Sequence, residues 1–393
     1  MPETVIIAAK RSAIGKFLGS LTPLSAMEIG AQVGRHTITA ANAKPEQIDE
    51  VFVGQVLLAG CGHNPARQVA IGAGLPDTIR AMTINQVCGS GLQAVMTADR
   101  AIRAGDIQVA LAGGVESMTN APHLLRGLRS GATKFGNAEL TDVMLFDGLT
   151  CAFDKWAMGV CADDTARRHN VTRQAMDEYA VESHRRASKA RSEGFFKRSI
   201  APVEIKSRKE TIKFEVDETI RDDASIESMA KLPPAFGKDG LVTAANASAI
   251  SDGAAMTLVC SADAARKNGW KPRARIVSQA VNFLAPKDLF IAPVGAVKLA
   301  LERASLSTKD IDLFEINEAF ATQVLADIRM LDIGHDRVNC YGGGISLGHP
   351  IGASGARCLG TLLDGLEHRN AKRGVVALCM GGGGAVAMVV ERL

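Results

Sequence analysis

The sequence predicts an α/β protein made of two similar halves, with a long insertion in the first. Three observations carry this prediction. Apolar runs of strand length alternate with helical patterns, short motifs recur in the same order at nearly one offset, and strand signals thin out from Asn120 to about Asn246. Val5–Ala9, Val51–Leu57 and Val109–Gly113 are the strand candidates of the first third. Met256–Cys260, Ile276–Val281, Leu313–Ile316, Val375–Met380 and Val386–Val390 follow after the gap. These runs are continuous rather than alternating, so both faces of each strand should be covered. Helical patterns at Leu92–Ala104 and Gly295–Ala304 lie between them. Strand and helix in alternation read as βαβ units.

The repeat is weak motif by motif and consistent in order. Ile48–Val53 resembles Ile311–Ile316 at an offset of 263, and Gly89–Leu92 resembles Ala353–Ala356 at 264. Val109–Ala112 resembles Val376–Cys379 at 267. This suggests a layout of half, insertion, completion of the first half, then second half. The boundaries are 1–119 with 250–272, 120–249, and 273–393.

Composition narrows the class. A chain of 393 residues, 47% hydrophobic and 22% charged, buries a large core and is not predominantly disordered. Aromatics are only 4% against 39 glycines, which favours small residues and close backbone contacts. The formal charge of +3 gives no case for a nucleic-acid partner. No apolar run nears the roughly 20 residues of a membrane span, and Met1–Ile7 lacks the parts of a signal peptide. Eight scattered cysteines without CxxC pairs suit reduced thiols, so a cytoplasmic location is expected. Residues 185–209 hold nine Lys/Arg and two Glu, which suits either an anionic ligand or a solvated helix face.

Four motifs carry chemistry. In Asn85-Gln86-Val87-Cys88-Gly89-Ser90-Gly91-Leu92 a cysteine precedes a helical pattern. A helix N-terminus favours an anion, so the thiol pKa is expected to fall from about 8.5 toward 7 with a basic partner. The plain alternative is a small core cysteine. In Gly342–Arg357 six glycines surround His349, and Pro350 fits a first helical turn. A histidine there can act as base for a thiol, or be a surface loop residue. Gly344-Ile345-Ser346-Leu347-Gly348 matches a hydrolase elbow, but only 47 residues follow Ser346, too few for the acid and histidine that should come after it. Val375–Gly384 is a buried strand ending in Cys379 and four glycines, and Asn317-Glu318 closes another strand. Glycines there let a ligand reach backbone N–H groups, while Asn317-Glu318 is equally a capping Asn with a surface Glu.

Taken together, NQVCGSGL around Cys88, NEAF at 317–320, GGGISLGHPIGASGAR at 342–357 and CMGGGG at 379–384 resemble the thiolases. The stretches at Gly62–Gln68, Gly113–Met118 and Ala245–Ser248 fall in the same order, so the resemblance spans the chain. It implies the thiolase fold, in which two βαβαβαββ halves form five layers, α-β-α-β-α, with a loop domain inserted for CoA binding and tetramer formation. It implies a ping-pong reaction on acyl-CoA with Cys88 as nucleophile, His349 as its base and Cys379 as the second acid/base. His349 with a water held by Asn317, and the N–H groups of Cys88 and Gly381, are the implied oxyanion donors. Ser248, Met158, Arg221, Ser228, Leu232, Phe236, Ala244 and Phe320 are the implied CoA and substrate residues.

The resemblance implies an acetyl-CoA C-acetyltransferase, with CoA as substrate and product, no resident cofactor and no metal. His63, His123, His169, His184, His335 and His368 show no ligand spacing and read as structural. Residues 121–146 lie where the family's tetramer loop falls, so a homotetramer is expected. Departures qualify the substrate. Ala157 stands where a His is usual beside Met158, Phe290 and Ala292 replace glycines, and Tyr341 replaces an Asn. Trp156 can fill the space beside Ala157, or Ala157 can leave room for a larger acyl group. A thiolase for longer or branched chains is therefore an alternative. A β-ketoacyl synthase fits less well, because Cys379 takes the thiolase position.

Overall fold

The computed structural model describes residues 2–132, 134–207 and 210–393; Met1, Thr133, Arg208 and Lys209 of the segments named above lie outside them. The first half runs β1 (Thr4–Arg11), α1 (Ala26–Ala40), β2 (Glu50–Gly54), α2 (Pro65–Gly72), β3 (Arg80–Ile84), α3 (Ser90–Ala104), β4 (Val109–Ser117) and β5 (Ser251–Ser261). Between β4 and β5 the insertion holds α4 (Met158–Arg168) and α5 (Arg173–Ser192). The second half runs β6 (Ala274–Phe283), α6 (Ala292–Arg303), β7 (Leu313–Ile316), α7 (Ala321–Leu331), α8 (Ser354–His368), β8 (Arg373–Met380) and β9 (Gly384–Arg392).

The strands hydrogen-bond in the order β7-β8-β9-β6-β1-β5-β4-β2-β3. Each half repeats one pattern. β5 is antiparallel to β1 and β4, as β9 is to β6 and β8. β2 is parallel to β4, as β7 is to β8. Beside β2 lies β3; beside β7 the same place is reduced to one parallel bridge, Phe314 to Val338. Among the described residues the halves join edge to edge at Val5–Arg275 and Ile6–Ala274.

Layering follows from which faces are apolar. Ile29 and Val33 of α1 and Val69 of α2 bury against Val51, Val53 and Leu111 on one outer face. Val297 of α6 and Val324 of α7 bury against Val375 and Ala377 on the other. Leu92 and Met96 of α3 meet Leu359 and Leu362 of α8 between the sheets, with Phe52 and Val376 as floor and roof. The result is α-β-α-β-α. Both central helices are sandwiched, which is why α8 is buried almost all round. At the surface, α1 begins at a capping box, Ser25 with Glu28, that satisfies two otherwise free N–H groups.

Three details differ from the sequence expectation. The strand expected over Val51–Leu57 stops at Gly54, because the N–H groups of Val56 and Leu57 turn to the Glu116 carboxylate instead of a neighbouring strand. β3 gave no apolar run, since it is an edge strand with Arg80 and Met82 exposed. The third repeat match slips by three residues. Asp49 and Asp312 each accept from the residues that open β4 and β8, at Val109 and Arg373, which sets that offset at 264.

The two central helices meet backbone to backbone at their N-termini. A Cβ on Gly355 would lie 2.3 Å from the amide nitrogen of Leu92, and one on Gly91 would lie 2.8 Å from the carbonyl oxygen of Gly352. Gly355→Ala should therefore destabilise the fold by about 1–3 kcal/mol through overpacking. A urea titration followed by circular dichroism reads this as a lower midpoint; an unchanged midpoint would refute the contact.

Candidate functional site

A cavity of about 730 Å³ opens beyond the C-terminal ends of β3, β4, β7 and β8, under a roof from the insertion. This is the side of a parallel sheet where ligands bind. Its walls are mostly apolar, with Leu145, Leu149, Met158, Phe236, Leu289, Phe290, Phe320 and Ile351 among them. Cys88 and His349 reach it from the turns before α3 and α8, and Cys379 and Gly381 from the end of β8.

Cys88 sits between the end of β3 and the start of α3 because the intervening turn is over-determined. Val87 has a left-handed φ of 48°, uncommon for a β-branched residue. The turn is held by the Val87 N–H donating to Asn85 Oδ1 (3.1 Å) and by the Ser90 hydroxyl donating to the Val87 carbonyl (2.6 Å). Gly89 admits the second half, since a Cβ there would come within 2.3 Å of the Met380 sulfur. The Gly381 N–H faces the Cys88 thiol from the opposite side.

The electrostatics correct the expected low thiol pKa. Burial pushes Cys88 up to about 12, and Glu116 adds to the rise; its own N–H and that of Gly381 oppose it. A helix N-terminus offers about half a charge. Without a cation it does not offset the desolvation of a buried thiolate. Cys379, at the end of β8, is also raised well above its usual value by burial, then by Cys88 and Asp327. His349 is lowered to about 3 by burial and then by Arg357. The resting site is therefore a neutral imidazole with neutral thiols.

His349 is buried rather than a surface loop residue. A Cβ on Gly348, at φ 97°, would strike Ser251 Oγ, and this confines the turn that carries the ring. Nδ1 lies 2.6 Å from Ser354 Oγ, whose hydroxyl donates to the Pro350 carbonyl at 2.9 Å. That network assigns the proton to Nδ1 and makes Nε2 the acceptor nitrogen. Asn317 Nδ2 rests 3.4–3.5 Å from the ring nitrogens, and Arg357 donates to its Oδ1. Arg357 is fully buried and faces Glu315 at 4.0 Å.

The other expected site residues divide. Met158, Arg221, Phe236, Ala244, Ser248 and Phe320 line the cavity. Asn317 stands behind His349 instead of on the wall. Ser228 is exposed and bonds back to Ser225 at the start of a short helix; Leu232 packs against the outer core of the second half. Neither lines the cavity. Ala157 is on the wall, whereas Trp156 is exposed and does not line the cavity. Phe290 lines the cavity edge-on to Phe320, and Tyr341 lies elsewhere, stacked on Phe195. Glu318 is not a surface Glu: it is buried and accepts from Tyr179, Ser183, Asn339 and the Ile345 N–H. Ser346 of the elbow-like sequence is buried against Ser183, away from the cavity.

Motif reading missed several residues. His184, read as structural, lines the cavity and accepts the Arg221 N–H at 3.1 Å. Ser354, Arg357 and Glu116 act on the catalytic loops from behind, and only an acid ending the apolar run of β4 hinted at the last. Among the described residues of the basic run none lines the cavity; Arg185 and Arg186 pair with Glu182, and Arg191 with Asp222. Among the described residues no group of His, Cys, Asp and Glu could hold a metal ion, and no helix is long and apolar enough to cross a membrane.

Two thiols and a neutral imidazole around backbone N–H donors, on a doubled βαβαβαββ scaffold, define an acyl-transferring enzyme. Residues 4–263 match the family model "Thiolase, N-terminal domain" and residues 270–392 match "Thiolase, C-terminal domain". The chain belongs to the thiolase family. It is 49% identical to an acetyl-CoA acetyltransferase of Cupriavidus necator, over the whole of both chains. It is 44% identical to the acetyl-CoA acetyltransferase of Escherichia coli K12, again over the whole of both. The crystal structure of the Bacillus anthracis acetyl-CoA acetyltransferase superimposes with a TM-score of 0.98 at 39% identity, covering 100% of this chain and 99% of that one.

Ser354 fixes the His349 tautomer through one hydrogen bond. Ser354→Ala should slow alkylation of Cys88 by iodoacetamide about tenfold at pH 7, the equivalent of losing about 1.4 kcal/mol. An unchanged rate would show that Ser354 does not orient the base.

Proposed function

We infer that the chain is an acetyl-CoA C-acetyltransferase, which condenses two acetyl-CoA to acetoacetyl-CoA and CoA and runs the reverse thiolysis. The observation that carries the chemistry is the convergence of Cys88, His349, Cys379 and Gly381 on one apolar cavity. The near full-length likeness to acetyl-CoA acetyltransferases carries the substrate.

The first half-reaction follows from the neutral pair. The Cys88 sulfur attacks the acetyl thioester carbon as its proton passes to His349 Nε2. The tetrahedral oxyanion sits against the N–H groups of Cys88 and Gly381, which already face that sulfur. Collapse expels the CoA thiolate, which takes the proton from His349 and leaves acetyl-Cys88. Burial that opposes a standing thiolate does not oppose the acetyl-enzyme, because the resting thiol and the thioester are both neutral.

In the second half-reaction Cys379 takes a proton from the α-carbon of a second acetyl-CoA as its own proton passes to His349 Nε2. The enolate oxygen is met by His349 and by a water held by Asn317. The carbanion attacks the acetyl carbon on Cys88, the tetrahedral adduct collapses to acetoacetyl-CoA, and the departing Cys88 thiolate takes the proton held by His349, which leaves both thiols and the imidazole neutral. A thiol suits this role because its proton cycles at lower cost near neutral pH than a carboxylate's. CoA is substrate and product, and the sequence needs no resident cofactor. Ser248, Met158, Arg221, Phe236, Ala244 and Phe320 form the pantetheine and acyl wall. Ser228 and Leu232, outside the cavity, would meet only the distal nucleotide of CoA.

The assembly belongs to the same reading. The hairpin His123–Leu125 with Leu140–Asp142 carries Leu128, Phe135 and Leu140 largely exposed, a patch that a second pair of subunits in a homotetramer would cover. The free cysteines suit a reducing cytoplasm, and a role in fatty-acid metabolism follows from the reaction.

A ladder of 3-ketoacyl-CoAs, including 2-methylacetoacetyl-CoA, tests the substrate by thiolysis. Acetoacetyl-CoA should be preferred. Equal or faster turnover of longer chains would instead assign the wall at Ala157 to a larger acyl group. Cys88→Ala should abolish turnover on every rung. Cys379→Ala should still form the acetyl-enzyme while condensation falls at least a thousandfold; loss of acetylation in that variant would sink the division of labour between the thiols.

A further inference from the structure

We propose that Glu116 is a positioning residue for acyl transfer: its carboxylate clips the turn after His349, in the second half, to the Val56–Leu57 segment beside Cys88, in the first. The proposal rests on the acetyl-transfer reading above.

Glu116 lies near the end of β4 and is fully buried. Its Oε2 accepts from the Val56 N–H at 3.0 Å and from the Gly352 N–H at 3.0 Å; Oε1 accepts from the Leu57 N–H at 3.3 Å. Gly352 follows His349 by three residues. A Cβ on Gly352 would lie 2.9 Å from Glu116 Oε2 and 2.5 Å from the Val115 carbonyl, so only glycine brings this turn to the carboxylate. Val56 and Leu57 pack in the apolar cluster against which Cys88 rests. Three N–H donors from two halves thus converge on one acid, and through Gly352 they fix where the imidazole stands relative to the thiol. A near-attack geometry lost by about 1 Å costs about a hundredfold in rate.

The repeat explains why the clip is needed. At an offset of 264, Gly352 occupies the place of Cys88, and Met380 that of Glu116. In one direction the end of β8 presents the Gly381 N–H to Cys88. In the other, the end of β4 presents a carboxylate to Gly352. The two contacts tie the halves reciprocally, and one of them carries an ionisable group.

The groups facing that carboxylate are Asp252 of β5, Cys88 before α3, Cys61 of the loop after β2, and the three N–H groups; none is a cation. Burial raises Glu116 to about 7, with Asp252 adding to the rise and the N–H groups opposing it. The sign follows. Below pH 7 the acid gains a proton and loses acceptor capacity, so the clip loosens. His349 and Cys88, at about 3 and 12, do not titrate between pH 5 and 9.

The test is the acetylation half-reaction, followed by CoA release from acetyl-CoA in a single turnover between pH 5 and 9. In the wild type the rate constant should fall below pH 7, by up to about tenfold per unit, until it levels near the Glu116→Gln rate. Glu116→Gln, whose amide turns one acceptor into a donor, should lower the plateau rate 10- to 100-fold, leave KM for acetyl-CoA within about twofold, and abolish the acid limb. A Glu116→Gln enzyme with the wild-type rate and limb overturns the proposal. So does a slower variant that keeps the limb, which would be a purely structural effect. If that variant does not fold, the wild type alone decides: a flat profile from pH 5 to 9 overturns the proposal. Absence of acetyl-Cys88 in the wild type at any pH would instead refute the functional reading itself.

Discussion

The structure depends on the backbone-to-backbone approach of two helix N-termini. α3 and α8 cross between the sheets so closely that side chains are excluded. A Cβ on Gly355 would overlap the backbone of Leu92, and one on Gly114 would lie 2.0 Å from the Gly352 carbonyl. Cys88 lies two residues before α3, and His349 five residues before α8. The same contact that joins the halves therefore sets the distance between nucleophile and base. Glycine is the only residue that permits it, which gives physical meaning to a composition rich in glycine and poor in aromatics.

Burial then decides the electrostatics. Cys88 and Cys379 are pushed up and His349 down by the same loss of water. Charge separation at rest is unfavourable, so proton transfer must accompany bond formation rather than precede it. Donors already aimed at Cys88 receive the charge when it moves to oxygen. The buried polar residues that support this arrangement, Arg357 with Asn317 and Glu318 with Tyr179, are hydrogen-bonded. They hold loops that would otherwise carry unsatisfied groups into the core.

Duplication supplied the scaffold, and asymmetry within it supplied the chemistry. Strand order, helix placement and the aspartates that open β4 and β8 repeat between halves. The loops at the strand ends do not. Where the first half has Cys88, the second has Gly352; where the second half has Met380, the first has Glu116. The insertion covers only one end of the doubled core, and so converts a crevice between halves into a cavity.

The sequence by itself determined the two halves, most strands, and the loops that bear Cys88, His349 and Cys379. Continuous apolar runs and glycine-flanked reactive residues are local signals, and they do not depend on the partner across the fold. It did not mark β3, whose exposed edge needs no apolar run, nor the early end of β2, where a distant carboxylate captures the chain. It also gave the wrong direction for the Cys88 pKa, because a helix N-terminus is visible in sequence and depth of burial is not. Only the tertiary structure placed Ser354 on Nδ1, Glu116 on Gly352 and Asn317 behind the ring. Those contacts join residues 5 to 236 positions apart, and the one between Glu116 and Gly352 exists only once both halves have closed.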